Sequence, residues 1–152
     1  QGLETLNLRM QQHVTNAQAM VQWLQQHDAV AWVNHPDINA DTHTKALFPK
    51  GAGSMLTFGV KGGRDAGAAF INALQLSSNL ANVGDSRTLV LHPGSTTHSR
   101  LSETDLVAAG ISADLIRVSV GIETVNDIKA DFGLGLRAAA KVAAAQLAPT
   151  EA

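Results

Sequence analysis

The sequence contains no cysteine and no tyrosine, and its aromatic residues are limited to four phenylalanines and two tryptophans among 152 residues. The absence of cysteine excludes disulfide bonds and thiolate metal sites in this chain. The absence of tyrosine excludes a tyrosine of this chain as the acid or base of a reaction. Any chemistry must therefore depend on other side chains.

The chain also lacks a strong excess of charge and a long apolar run. Eleven basic and thirteen acidic residues give a formal charge of −2, and no Lys/Arg cluster is present, so nucleic acid is not an expected partner. No apolar stretch approaches the roughly 20 residues that a bilayer-crossing helix needs. The start at Gln1 has no signal-peptide pattern. We expect a cytoplasmic location and no membrane partner.

The composition that remains, 45% hydrophobic and 16% charged, is typical of one globular domain. Apolar residues recur every three or four positions over residues 3–27, which predicts a long N-terminal helix. The same spacing predicts a helix beginning near Asp65 and a closing helix after Thr124. A capping signal at Ser102 predicts a short helix that Gly110 ends.

Alternating apolar and polar residues predict four strands, at 29–34, 55–60, 88–92 and 115–122. Because strands and helices do not strictly alternate, the order favours an α+β domain with an antiparallel or mixed sheet and helices on one face.

The remaining segments carry no regular pattern. The polar connector over residues 37–51 and the turn-prone segment over 77–86 are predicted to be irregular. We expect a single domain over 1–152, with a sheet-and-helix body at 29–145 and a frayed tail at 146–152.

The strand at 115–122 separates Arg117 from the apolar core. Its aliphatic residues share one face, whereas Arg117 lies on the other face with Ser119 and Gly121. Such a guanidinium is fixed on rigid backbone, has room for a ligand, and binds a carboxylate through two parallel hydrogen bonds. The alternative is an ion pair with a nearby aspartate or exposure to solvent, and position alone does not decide between them.

Uncharged hydrogen-bonding residues surround the third predicted strand. Ser78 and Asn82 precede it and, together with Arg117, would form a carboxylate receptor. The Ser-Thr-Thr-His-Ser segment at 95–99 places hydroxyls beside an imidazole, but no orienting carboxylate or oxyanion hole is identifiable. A hydrogen-bonded loop is therefore favoured over a nucleophilic site, and its hydroxyls could still steer an anion.

Metal and phosphate motifs are incomplete in this sequence. The six histidines match no compact metal-binding spacing, so no metal site is expected. The glycines at 51–53 and 62–63 complete neither a Walker pattern nor a dinucleotide fingerprint, and turns are the better interpretation.

Four separated segments form a specific pattern when taken in order. They are Gly-Leu-Glu-Thr-Leu at 2–6, Leu-Ala-Asn-Val-Gly-Asp at 80–85, His-Pro-Gly-Ser-Thr-Thr-His at 92–98 and Leu-Ile-Arg-Val-Ser-Val-Gly-Ile-Glu at 115–123. Together they resemble the C-terminal domain of the pyridoxal-phosphate enzymes of cysteine and methionine metabolism. The first two point, within that family, to the O-acetylhomoserine sulfhydrylases.

The resemblance implies a small C-terminal domain of the fold-type I enzymes, with a four-stranded, mostly antiparallel sheet. It also implies that the parent enzyme is a transferase of methionine biosynthesis that uses pyridoxal 5'-phosphate. Such an enzyme makes homocysteine, or a thioether, from O-acetylhomoserine and sulfide or a small thiol. The family further implies a homotetramer.

The resemblance also assigns site residues. Arg117 would bind the α-carboxylate of the substrate, Asn82 would contact the same carboxylate, and Ser78 and Thr97 would lie nearby. In the family, the Schiff-base lysine and the main cofactor ligands lie in a larger N-terminal domain upstream of the segment matched at 2–6. We therefore expect no catalytic or cofactor-binding residue here, a chain inactive alone, and its own N-terminal pyridoxal-phosphate domain as a partner.

Two alternatives stay open. Methionine γ-lyases and cystathionine γ-synthases share the arginine, so the C-terminal domain of either enzyme is possible. A non-enzymatic module that binds amino acids is the alternative from a different class.

Overall fold

The computed structural model describes residues 1–147 and contains five helices and five strands in that range. The helices are α1 (Leu6–Gln25), α2 (Thr42–Leu47), α3 (Gly63–Asn72), α4 (Glu103–Ala108) and α5 (Val125–Leu147). The strands are β1 (Val30–Asn34), β2 (Met55–Val60), β3 (Ser78–Asn79), β4 (Leu89–Leu91) and β5 (Leu115–Ser119). A turn of 3-10 helix follows β4 at Pro93–Ser95.

The strands form one sheet in the order β1-β2-β5-β4-β3. Three of the four neighbouring pairs are antiparallel, and only the short β3 runs parallel to its neighbour β4. The central strand is β5, on which Arg117 lies opposite Thr57 of β2 and opposite Leu91 of β4. The backbone of Arg117 is therefore held by strands on both sides.

The core lies between the sheet and the three longer helices. Apolar residues from α1, α3, α5 and four strands form one buried cluster, which places these helices over the same face of the sheet. At its centre, Phe70 packs edge to face on Phe58 and on Phe132, with ring centroids 5.4 Å apart in each pair. Gly135 permits this packing, because a Cβ at that position would lie 2.6 Å from the Phe70 ring.

The structure confirms the predicted α+β architecture and differs in the details. The sheet has five strands rather than four, because Ser78–Asn79 pairs with β4 inside the segment expected to be irregular. The connector at 37–51 contains α2, because the Asp41 side chain accepts a 2.7 Å hydrogen bond from the Thr44 amide and caps the helix. Both elements are short, and their sequences lack the regular spacing of apolar residues from which helices and strands were predicted.

The predicted element ends are close to the observed ones. The Ser102 side chain caps α4 as expected, and Gly110 ends that turn with a φ of +74°. The strand predicted at 115–122 ends at Ser119. Of the tail expected at 146–152, only residues 146 and 147 are described, and they belong to α5.

Candidate carboxylate-binding site

Arg117 lies on the face of β5 opposite the helix-covered core. Its strand neighbours Ile116 and Val118 are fully buried in the core cluster, whereas the Arg117 side chain is partly exposed. The alternation along β5 therefore directs the guanidinium away from the core, as the sequence pattern predicts.

The charge of Arg117 is unpaired among the described side chains. The ion pairs found there involve other residues, and no carboxylate lies within 4.0 Å of this guanidinium. Its one hydrogen bond in the described range runs from Nη2 to the backbone carbonyl of Asn82, at the long distance of 3.5 Å. Most of its donors are thus free to bind an anion, and the internal ion pair considered above is absent from the described part of the chain.

Arg117 lines a cleft of about 250 Å³ on this face of the sheet. Its walls, which define the Arg117 cleft, are Asn34, His35, Pro36, Met55, Leu56, Thr57 and Arg117. Asn34 pairs with Thr57, and Thr57 pairs with Arg117, across three adjacent strands. An amide, a hydroxyl and a guanidinium therefore stand in one row, which suits an anion that accepts several hydrogen bonds.

Asn34 and Thr57 are candidate site residues that the sequence interpretation missed. Thr57 lies within the strand predicted at 55–60, but the sequence gives no signal that it pairs with Arg117, which is 60 positions away. The register between strands, rather than any motif, brings these side chains together.

The other three predicted site residues lie outside the lining of this cleft. Asn82 reaches Arg117 through its backbone carbonyl, while its side-chain Oδ1 accepts a 2.8 Å hydrogen bond from the Val83 amide. Ser78 lies on β3, two strands from β5. Thr97 is exposed, and its hydroxyl lies 2.8 Å from Nδ1 of His98. The structure thus brings Asn82 to Arg117 and does not place Ser78 or Thr97 in the cleft lining.

The hydroxyl-rich segment after β4 is held together by a buried histidine. Nε2 of His92 lies 2.9 Å from the carbonyl of Ala113, which can only accept, so Nε2 carries the proton. Nδ1 of His92 then accepts from the Ser95 hydroxyl at 2.8 Å, and the Thr96 hydroxyl donates to the His92 carbonyl. Burial lowers the pKa of His92 below its usual 6.5, despite the opposing hydrogen bond to Ala113. These contacts describe a hydrogen-bonded loop.

Residues 1–147 lack both a cluster of potential metal ligands and a membrane-spanning helix. No group of three potential metal ligands comes together among the described residues. In the same range, none of the helices combines the length and apolar character needed to cross a bilayer.

Comparison with known proteins identifies the family. A family model described as Cys/Met metabolism PLP-dependent enzyme matches residues 1–137 of the 152. This chain belongs to that family. The match includes the Arg117 strand, β4 and the loop that contains Asn82.

Individual relatives of the chain match it at high identity. Homocysteine synthase from Schizosaccharomyces pombe is 47% identical over 142 residues, which cover 91% of this chain and 33% of that protein. O-acetyl-L-homoserine sulfhydrylase 1 from Thermus thermophilus is 47% identical over 134 residues, which cover 86% of this chain and 32% of that protein. The chain thus spans about a third of the length of these relatives.

A solved structure supports the same relationship. A Campylobacter jejuni protein described as an O-acetylhomoserine (thiol)-lyase matches with a TM-score of 0.78 and 37% identity, over 90% of this chain and 33% of its own. That protein carries N'-pyridoxyl-lysine-5'-monophosphate.

The Arg117 cleft does not fit the family's cofactor. Pyridoxal phosphate is held through a lysine, and none of this chain's lysines, all of which are described, lines the cleft. Lys61, which follows β2, instead lines a separate cleft with Leu136 and Ala143. No reaction step at the cofactor is therefore assigned to this chain.

The lowered pKa of His92 predicts an acid-sensitive fold. The unfolded chain takes up a proton on this histidine near pH 6.5, whereas the folded chain resists it. The free energy of unfolding is therefore highest above about pH 6.5, where His92 is neutral in both states. It falls by up to about 1.4 kcal/mol per pH unit as the pH drops from there toward the folded pKa. Urea unfolding of this chain between pH 7.5 and 5 measures that slope.

The control for this prediction is a matched pair of variants. Replacing His92 by glutamine, which stays neutral, should flatten the pH dependence of the unfolding free energy. His43→Gln, at an exposed position, is the matched substitution measured beside it. Identical slopes for the wild-type chain and His92→Gln would show that His92 does not couple folding to pH.

Proposed function

We propose that this chain is the substrate-carboxylate-binding C-terminal domain of an O-acetylhomoserine sulfhydrylase. That enzyme would make homocysteine, or a thioether, from O-acetylhomoserine and sulfide or a small thiol. The observation that carries the proposal is that the guanidinium of Arg117 is unpaired among the described side chains and that Arg117 lines an open cleft. The 47% identity to a homocysteine synthase and to an O-acetyl-L-homoserine sulfhydrylase supports the choice of reaction.

In this proposal, Arg117 binds the α-carboxylate of the amino acid through two parallel hydrogen bonds. The central position of β5 keeps the backbone of Arg117 fixed, so only its side chain has to be ordered when the substrate binds. Asn82, beside Arg117, belongs to the same carboxylate site. In the same proposal, Ser78 at the start of β3 and Thr97 in the loop after β4 are supporting residues outside the cleft lining. Holding one end of the substrate in this way orients its reacting carbon.

The reaction itself would take place on groups outside this chain. Pyridoxal phosphate supplies the electron-withdrawing chemistry in this family, and we assign its binding to a separate N-terminal domain. The proposed partners are therefore O-acetylhomoserine, sulfide or a thiol, and that domain. A homotetramer in the cytoplasm is part of the same proposal.

Loss of the Arg117 guanidinium should weaken substrate use strongly. In the enzyme that contains this chain, Arg117→Ala should lower kcat/KM for O-acetylhomoserine by at least about 30-fold, because an unpaired carboxylate in a closed site costs about 2 kcal/mol. Arg117→Lys should lose less, since it keeps the charge but not the two-pronged geometry. Steady-state kinetics with sulfide as the second substrate measure both effects.

Arg137→Ala serves as the control for this experiment, because Arg137 is exposed on α5. Its kcat/KM should match that of the unmodified enzyme. A specificity constant that Arg117→Ala leaves unchanged would rule out the carboxylate site.

The choice among the family's reactions is testable with the same enzyme. We expect homocysteine to form from O-acetylhomoserine and sulfide, and methionine to be a poor substrate. The two rates are compared by measuring homocysteine in one assay and α-keto acid in the other. Faster breakdown of methionine would identify a methionine γ-lyase, and a preference for cysteine over sulfide as the acceptor would identify a cystathionine γ-synthase.

The chain alone should neither bind the cofactor at a single site nor turn over substrate, because no lysine lines the Arg117 cleft. Calorimetric titration of the chain with pyridoxal phosphate tests this, with the complete enzyme as the positive control. Saturable one-to-one binding that Lys61→Arg abolishes would contradict the proposed division of roles.

A further inference from the structure

A buried carboxylate on α5 holds the chain that leads to the Arg117 site. Asp131 is 4% exposed. Its Oδ1 accepts hydrogen bonds from the amides of Gln75 at 2.6 Å and Leu76 at 3.0 Å, and its Oδ2 accepts from the amide of Ser77 at 2.9 Å. Three consecutive backbone donors thus converge on one side chain.

This contact is strong because the carboxylate is ionised and well satisfied. Burial alone would raise the pKa of Asp131, but the hydrogen bonds from Gln75, Leu76 and Ser77 together lower it below 3.8. The carboxylate also sits on a rigid support, since the next residue, Phe132, belongs to the aromatic centre of the core. Asp131 therefore fixes residues 75–77 relative to the core.

The fixed residues lead directly into the loop that contains Asn82. After Ser77, the Ser78 amide donates to the Thr88 carbonyl at 3.0 Å and starts β3. The chain then runs over the exposed segment 80–84, where the Asn82 carbonyl faces Arg117. The position of Asn82 thus depends on where β3 begins.

The far end of this loop is held in the same way. Thr88 donates to the carboxylate of Glu123 through its amide at 2.6 Å and through its hydroxyl at 2.9 Å. Two carboxylates, one on α5 and one just after β5, therefore hold the two ends of a largely exposed segment.

We propose that Asp131 is a positioning residue for the substrate-carboxylate site. It acts through residues 75–77 and β3, which place the Asn82 loop against Arg117. This inference rests on the proposed function, because it assigns to Asp131 an effect on the binding that Arg117 provides. It predicts that weakening the contact raises KM for O-acetylhomoserine while the chemical step is largely preserved.

The test is a double-mutant cycle in the enzyme that contains this chain. Asp131→Asn keeps the shape of the side chain but loses its charge, and it should raise KM on the order of tenfold with kcat changed less than about threefold. In an Arg117→Ala background, the same substitution should have little further effect, because the site it positions is already lost. A purely structural role would lower activity equally in both backgrounds.

Asp127→Asn is the matched control, since Asp127 is exposed on the same helix one turn earlier. It should leave KM unchanged. Hydrogen exchange of the amides of residues 75–77 and 80–84 provides a second readout, and it should speed up in Asp131→Asn but not in Asp127→Asn. If the Asp131→Asn variant does not fold, Asp131→Glu replaces it in the double-mutant cycle. Glutamate keeps the negative charge but moves the carboxylate one methylene further from the backbone.

The outcomes separate the two claims. Faster exchange with a raised KM that depends on Arg117 supports the positioning role. An unchanged KM, or an equal effect in both backgrounds, overturns that role and leaves the proposed function standing as long as Arg117→Ala itself lowers kcat/KM. If Arg117→Ala has no effect on kcat/KM, the proposed function fails, and the positioning role fails with it.

Discussion

The packing of the β5 core face against the helices determines where the functional charge can lie. Ile116 and Val118 are fully buried among residues of α1, α3 and α5, and burial of such side chains stabilises a fold by about 1.5–3 kcal/mol each. Shifting this strand by one residue would expose both of them and bury Arg117. The apolar core thus fixes the register, and the register fixes the face on which the guanidinium stands.

The loops beside this strand are held by carboxylates rather than by apolar contacts. Asp131 accepts three backbone amides before β3, and Glu123 accepts the amide and hydroxyl of Thr88 before β4. An ionised acceptor strengthens each hydrogen bond, and a buried amide without a partner would be costly. Segments with few apolar residues can in this way keep a defined position next to a rigid sheet.

The parts of this structure that follow local patterns were predictable from the sequence. The alternation around Arg117 identified a strand with a single charged residue facing away from the core, and the Ser102 capping signal identified α4. The short strand β3 was not predictable, because its two residues form a strand only through pairing with β4. The contact of Asp131 with residues 75–77 joins positions more than 50 residues apart, and no local signal reports it. Short-range patterns therefore revealed the arginine but not the side chains around it.

The strength of a carboxylate site at Arg117 depends on how much water surrounds the guanidinium. A partly exposed guanidinium attracts a carboxylate only weakly in water, where the solvent screens the charges and exposed ion pairs contribute about 0–1 kcal/mol. The same pair becomes several times stronger when water is excluded and the local dielectric constant falls. The sheet supplies the position of the charge and a row of hydrogen-bonding neighbours, Asn34 and Thr57, but leaves the Arg117 cleft open on one side. Exclusion of water from that open side would convert a well-placed but solvated cation into a strong and selective substrate contact.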